Sequence, residues 1–445
     1  MLNRDPLDDC VHCGFCLPHC PTYVSWAEEM DSPRGRIDLM KALRERSLQL
    51  DDRIVTHFDR CLGCMACVTA CPSGVRYDVL IEDTRAQVEA VHRRSLFDRW
   101  HRGMIFALFP HPRRLRALMW LLYAYVRSGL KWLLGKSGLL RLLPLKLRQL
   151  EALLPPIAAR QLRARLPALT EAAAPERARV ALLSGCVQRV CFPEVNAATL
   201  RVLGAEGCRV VVPPGQGCCG ALSLHAGRQA EARAMVRALM SHFDLDATDA
   251  VVVNAAGCGS HLKECARLFG DEPEVAQQVA RLAAKVRDVS EFLQALPPRA
   301  PRHPLPLKVA YHDACHLAHA QRVRAQPRAL LRGIPELELC EIADGEQCCG
   351  SAGIYNLVEP ASANQIGRRK VTNVLATGAE LLASANPGCS LHLQRLLRES
   401  GETLAAMHPI EILDASLQGA AVERDQLHGR PLLALRRRSG GQRRR

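Results

Sequence analysis

Cys10-Val11-His12-Cys13-Gly14-Phe15-Cys16-Leu17-Pro18-His19-Cys20-Pro21 sets four cysteines at a fixed spacing and closes them with proline. The same spacing returns in Cys61-Leu62-Gly63-Cys64-Met65-Ala66-Cys67-Val68-Thr69-Ala70-Cys71-Pro72. Three thiolates two residues apart can wrap one corner of a cubane, while the fourth, displaced and followed by proline, points toward the cluster held by the other run. The spacing therefore predicts two [4Fe–4S] clusters. One takes Cys10, Cys13, Cys16 and Cys71; the other takes Cys61, Cys64, Cys67 and Cys20. A zinc ribbon needs only four tetrahedral ligands and gives no reason for a third Cys-x-x-Cys step or the trailing Cys-Pro.

The surrounding composition agrees with a reduced compartment. At 445 residues, two or three domains are expected rather than one core. The opening MLNRDPLDDC has no apolar signal-like segment, so a cytoplasmic chain is expected. Twenty cysteines would read as disulfides in an exported protein; here their spacings read as metal ligands.

The formal charge of +14 is concentrated in one place. Between Arg93 and Arg165 stand sixteen Lys or Arg against only Asp98 and Glu151, which accounts for the whole excess. The stretch also carries Leu, Trp and Tyr, yet its longest uncharged run, between Arg116 and Arg127, is ten residues. That is about half of what a spanning helix needs. A basic amphipathic helix over 113–148 is expected, lying on a membrane surface or packing on the protein's own core or a partner. The Arg436–Arg445 tail is a charge run without an apolar face. It reads as solvated, and since no recognition motif accompanies it, no nucleic-acid partner is expected.

Past the connector the sequence duplicates itself. Cys186, the Cys218-Cys219-Gly220 motif and Cys258 are followed by Cys315, Cys348-Cys349-Gly350 and Cys389, at offsets of 129, 130 and 131 residues. Apolar runs of strand length (180–183, 210–212 and 250–253) precede the cysteines of the first copy, with helical stretches such as 230–240 between them. Strands alternating with helices predict a parallel sheet covered on both faces, with the cysteines gathered outside the carboxyl ends of its strands. Cys186, Cys218, Cys219 and Cys258, and likewise Cys315, Cys348, Cys349 and Cys389, are therefore candidate metal ligands. The alternative, cysteines packed as small hydrophobes, leaves the duplication unexplained.

Together these signals describe an α+β multidomain chain. Residues 1–92 form a mainly helical two-cluster ferredoxin domain, 93–175 a basic helical connector, 176–300 and 301–425 a pair of α/β Cys-Cys-Gly domains, and 426–445 a basic disordered tail. Ser32 and Pro33 read as the N-cap and first residue of a helix between the two cysteine runs.

The motifs His12-Cys13-Gly14-Phe15-Cys16, Cys20-Pro21-Thr22-Tyr23, Pro33-Arg34-Gly35-Arg36-Ile37 and Cys71-Pro72-Ser73-Gly74-Val75-Arg76-Tyr77 resemble the iron–sulfur subunit of glycolate oxidase. So do Asn196-Ala197-Ala198-Thr199, the two Cys-Cys-Gly motifs and Cys348-Cys349-Gly350-Ser351-Ala352-Gly353. The repeats also resemble the Cys-Cys-Gly domains of heterodisulfide reductase. The resemblance implies an oxidoreductase subunit that relays electrons from a flavoprotein partner, which oxidises glycolate to glyoxylate, toward a quinone or other acceptor. It implies peripheral contact with the cytoplasmic face of the inner membrane. The iron–sulfur subunit of a D-lactate dehydrogenase or a heterodisulfide-reductase-like enzyme is the alternative. No G-x-G-x-x-G opens a βαβ unit, so flavin and catalytic residues are expected on the partner and none on this chain.

The pattern departs from heterodisulfide reductase at the third anchor. Where Cys-x-x-Cys is usual, this chain has Cys258-Gly259-Ser260-His261 and Cys389-Ser390-Leu391-His392. Histidine can replace a thiolate at an iron–sulfur centre, and four ligands including histidine also suit zinc, so the repeats are expected to hold further iron–sulfur or zinc, or no metal. His312, Asp313, His316 and His319 crowd around Cys315; solvated loop histidines are the expectation there, with proton handling or quinone contact the sharper alternative.

Overall fold

The computed structural model describes residues 6–154, 158–424 and 431–434. The first domain is built from helices α1 (Pro21–Trp26), α2 (Pro33–Arg44), α3 (Asp52–Asp59), α4 (Ala66–Ala70) and α5 (Tyr77–Val91). Described residues 6–92 contain no strand, as predicted. The cysteine runs are tied to helix ends: Cys20 is the N-cap of α1 with Pro21 as its first residue, and Cys71 is the C-cap of α4. Ser32 caps α2 as expected, its Oγ accepting the Gly35 N–H at 3.0 Å. Ile37, Val55, Phe58, Tyr77, Ile81 and Val88 fill the small core between α2, α3 and α5.

The basic connector is helical but not one helix. It runs through α6 (Leu96–Leu108), α7 (Pro112–Arg127), α8 (Leu130–Lys136) and α9 (Leu145–Ala152). Gly129 (φ +77°) and Gly138 (φ +73°) break the run, since a left-handed residue cannot continue a right-handed helix. Buried apolar residues on α6 (Ile105, Phe106) and α7 (Leu115, Met119) pack inward, whereas α8 buries none. Among the described residues no helix is long and apolar enough to cross a membrane.

Two sheets follow. The first takes β1 (Leu169–Thr170), β2 (Ala178–Leu183), β3 (Cys208–Val211), β4 (Ala250–Val253) and β5 (Val286–Asp288) in the order β1-β3-β2-β4-β5, parallel except for the β1–β3 edge. The second takes β6 (Lys308–His312), β7 (Glu338–Glu341), β8 (Leu381–Ser384) and β9 (Ala405–Met407) in the order β7-β6-β8-β9, all parallel. Every residue of central β4, Ala-Val-Val-Val, is buried, the pattern of a strand covered on both faces. The two repeats share one core in which Val180, Val252 and Leu203 pack in the same cluster as Val309, Leu381 and Ile410. Helix Pro193–Ala205 lies against helix Pro409–Leu417, and Arg201 pairs with Asp414 at 2.6 Å across the join. Pro431–Ala434 form a strand paired antiparallel with Ala421–Arg424, so this part of the 426–445 stretch is not a disordered tail. The Arg436–Arg445 run lies outside the described residues.

Candidate metal centres

Cys20, Cys61, Cys64 and Cys67 line one small cavity together with Arg36 and Tyr77. Each of the four is less than a tenth exposed. Cys20, from the other run, lies within this group. Burial pushes the Cys64 and Cys67 thiols far above their ordinary range, an effect that neighbouring thiols reinforce. Cys61 is different. Burial opposes its ionisation too, but the Arg36 and Arg85 guanidiniums, with donors from Tyr77 Oη at 3.6 Å and the Gly63 N–H at 3.4 Å, hold it below its ordinary value. Four convergent thiols under a buried cation form a donor set that fits an anionic thiolate cluster.

The buried cation was not legible as such in the sequence. Arg36 is 1 % exposed, donates to the His57 carbonyl at 2.7 Å and to Thr22 Oγ1 at 3.4 Å, and faces Asp31 Oδ1 at 3.4 Å. Asp31 is itself held by Arg60 and His57, each at 2.9 Å. Arg36 belongs to the Pro33-Arg34-Gly35-Arg36 motif, which was the one available signal.

Cys10, Cys16 and Cys71 pack at the margin of the same small core, and Cys13 is exposed. Burial raises the Cys16 thiol to about 11, and Cys20 and Cys10 lie close enough to add to the rise. This first group is thus nearer solvent than the second.

In the repeats, the cysteines sit beyond the carboxyl ends of β2, β3 and β4 and of β6, β7 and β8. Cys186 Sγ lies 3.5 Å from Cys218 Sγ, and Cys219 continues the chain of contacts to Cys258. In the second repeat Cys315 Sγ lies 3.9 Å from Cys348 Sγ. Ligand atoms of His312, Cys349 and Cys389 all lie within 4.8 Å of one another. Asn386 Nδ2 donates to Cys389 Sγ at 3.4 Å. Both repeats therefore bring their cysteines together.

The histidines correct the expectation. His312, His316 and His319 are not solvated: each is a tenth exposed or less, because His312 ends the buried strand β6 and the turn after Cys315, which carries the other two, packs against helix Ala256–Glu264 and α4. His312 has both ring nitrogens buried without a partner, and burial lowers it to about 3. His319 is fixed by Thr69 Oγ1 at 2.8 Å and the Glu346 carbonyl at 2.9 Å. His261 and His392, the residues standing where a fifth thiolate would be, sit behind the glycines of the Cys-Cys-Gly turns. A Cβ on Gly220 would meet His261 Nε2 at 3.4 Å, and His392 Nε2 contacts the Ala363 carbonyl at 3.2 Å. The imidazole that joins the second repeat's thiols is His312, not His392.

The two kinds of site adjoin. Leu62, Cys64 and Ala66 of the first domain share one buried cluster with Cys315, Cys348 and Ala363 of the second repeat. The contact is pinned by Thr69 to His319, by Trp26 Nε1 donating to Gln365 at 2.8 Å, and by Gln347 donating to the Pro18 carbonyl at 3.0 Å. Beyond it opens a cavity of about 380 Å³, floored by cysteines of both repeats (Cys186, Cys218, Cys258, Cys315, Cys389) and roofed by α6, α7 and α9.

The sequence matches a 4Fe–4S dicluster domain over residues 6–75 and a cysteine-rich domain twice, over 180–263 and 309–394. Residues 97–154 match the linker region of the glycolate oxidase iron–sulfur subunit. A probable glycolate oxidase iron–sulfur subunit of Bacillus subtilis is 38% identical over 418 residues, 93% of this chain and 94% of its own length. The glycolate oxidase iron–sulfur subunit of Escherichia coli is 33% identical over 413 residues, 92% of this chain and 94% of its own. Lactate utilization protein A of Shouchella clausii is 31% identical over 237 residues, 53% of this chain and 98% of its own.

Proposed function

Because this chain belongs to the glycolate oxidase iron–sulfur subunit family, we propose that it is the electron-transfer subunit of a glycolate-oxidising complex. A flavoprotein partner takes two electrons from glycolate, and this chain passes them singly toward a quinone. The observation that carries the reading is the buried contact of Cys64 with Cys315 and Cys348, which makes the ferredoxin-type site and the repeat cysteines one contiguous thiolate path.

Cys10, Cys13, Cys16 and Cys71 would hold one [4Fe–4S] cluster and Cys20, Cys61, Cys64 and Cys67 the other, with further iron–sulfur on the repeat thiols. When bound, such clusters supply reversible one-electron storage. The chain's own contribution is positioning and charge. Exposed Cys13, flanked by Val11 and Phe15 at 63% exposure each, offers the partner a surface at the first cluster. Arg36 and Arg85 favour added negative charge at the second. Exclusion of water around Cys64, Cys315 and Cys348 keeps the intervening medium of low polarisability. No hydroxy-acid chemistry is assigned to this chain, so the substrate is set by the partner. None of the twenty cysteines is paired in a disulfide, in keeping with a cytoplasmic location.

The test is to co-purify the tagged chain anaerobically with its partner and add glycolate or D-lactate. Glycolate-dependent bleaching of the iron–sulfur absorbance supports the proposal. Bleaching by D-lactate alone would reassign the complex, and a flavin-free, unbleached preparation would refute the relay.

A further inference from the structure

The cavity of about 380 Å³ above the repeat cysteines has two walls that differ in chemistry. The roof is aliphatic, made by Leu108 of α6, by Leu115, Leu118, Met119 and Leu122 of α7, and by Leu150 of α9. None of these residues belongs to the cysteine-bearing loops. The floor carries the cysteines and, between them, polar atoms without partners. Gln188 Oε1, His316 Nε2 and Ser351 Oγ are all buried, line this cavity and have no hydrogen-bond partner. Three such atoms unpaired in an apolar enclosure are destabilising, and a ligand with hydrogen-bonding groups would pair them.

The segment that joins two of the roof helices presents an exposed surface of a definite kind. Between α7 and α9 the connector presents Trp132 (63% exposed), Leu133, Leu139 and Leu142 (80% exposed), interleaved with Lys131, Lys136 and Arg141. Lys136 Nζ lies 4.5 Å from the Trp132 ring centroid. Aromatic and aliphatic side chains among cations match the interface of an anionic bilayer. An apolar chamber, polar at the cysteine end and roofed by helices whose connecting segment carries this lipid-seeking surface, fits a molecule with a polar redox head and a hydrocarbon body.

We propose that this cavity is the binding site of a lipid-soluble quinone, with its carbonyl oxygens toward His316 and Ser351 and its chain along the Leu118–Leu150 roof. The inference rests on the relay reading and adds the place where the acceptor binds.

The test uses the full chain, purified anaerobically and reduced with dithionite. Reoxidation is followed in the visible region after mixing with decylubiquinone or with ferricyanide, a soluble acceptor that needs no cavity. The variants are Leu118→Trp and Leu150→Trp, which fill the roof, and Ser351→Ala, which removes a head-group partner without adding bulk. Expected are quinone reoxidation at least tenfold slower in the filled variants, a several-fold higher half-saturating quinone concentration for Ser351→Ala, and unchanged ferricyanide rates and iron content. Filled variants as fast as wild type with quinone would overturn the proposal. Wild type reoxidised by ferricyanide but not by quinone would also overturn it, leaving the relay standing and the chamber to a partner's segment. A chain with no dithionite-reducible chromophore would refute the relay reading itself. Should the tryptophan variants lose iron, Ser351→Ala and quenching of wild-type tryptophan fluorescence by decylubiquinone decide the matter.

Discussion

Replacing Arg36 by glutamine should lower the reduction potential of one cluster and leave the other where it is. The Arg36 Nη2 to Thr22 Oγ1 contact of 3.4 Å and the Thr22 Oγ1 to Cys20 Sγ contact of 3.1 Å set an upper limit on the charge-to-sulfur distance. At about 6.5 Å and an effective dielectric constant of about 20, a unit charge contributes about 2.5 kcal/mol. The added electron is spread over the cluster rather than placed on one sulfur, so a fall of about 50–100 mV is expected. Removing the guanidinium also strips a partner from Asp31, a buried carboxylate, at a cost on the order of 3 kcal/mol in stability. Arg60 and His57 stay on Asp31, so the fold should survive. Arg36→Lys separates the two effects, since it loses the hydrogen-bond geometry but keeps the charge; it should shift the potential by less than about a third as much. The assay is a redox titration of both cluster signals by electron paramagnetic resonance. If Arg36→Gln leaves both potentials within about 20 mV of wild type, or moves both equally, the placement of this cation beside only the Cys20, Cys61, Cys64 and Cys67 site is wrong.

The crossed ligand sets predict that Cys20→Ser loses the same cluster signal as Cys64→Ser, and Cys71→Ser the same as Cys13→Ser, each at a cost of about four irons per chain; iron analysis with spectroscopy checks the pairing. Burial holds the Glu411 carboxyl at about 7 in the folded chain, above its ordinary value of 4.5. The folded state therefore keeps a proton that the unfolded state releases, and stability falls as pH rises between about 4.5 and 7, by on the order of 3 kcal/mol from this group. Glu411→Gln, which can still accept the His408 N–H, should raise the Tm at pH 8 and flatten its pH profile. The paired change Trp132→Gln and Leu142→Gln should reduce partitioning onto anionic vesicles by about tenfold or more, read by co-sedimentation; unchanged partitioning would mean the surface faces protein.

Motif spacing carried far in this chain because metal ligation is a local constraint on sequence. The cysteine steps, the repeat offsets near 130 residues and the strands before Cys186 and Cys258 are all short-range or periodic, and the structure has each of them. What depends on tertiary packing was not readable. His312 and His316 look like loop histidines in the sequence, yet His312 ends the buried strand β6 and helix Ala256–Glu264 packs over the turn that carries His316; nothing near His312 in sequence announces Cys349 and Cys389 as neighbours. The burial of Arg36 depends on Asp31 and His57 meeting it from separate elements. The connector read as one amphipathic helix because its composition is continuous; two left-handed glycines divide it, and the division lets α7 and α9 come together over one chamber.

The seam between Cys64 and the second repeat also constrains the order in which the molecule can be built. Cys20, Cys61, Cys64 and Cys67 are all nearly inaccessible in the folded chain, Cys64 at the seam itself. An iron–sulfur scaffold could not deliver its cargo there through Tyr77, Leu62 and the packed face of Ala363. Loading of that site is therefore expected to precede the packing of Leu62 and Cys64 against the second repeat, which then acts as a latch. A chain starved of iron should stall before that step, with Leu62 and Ile366 still open to solvent and to proteases.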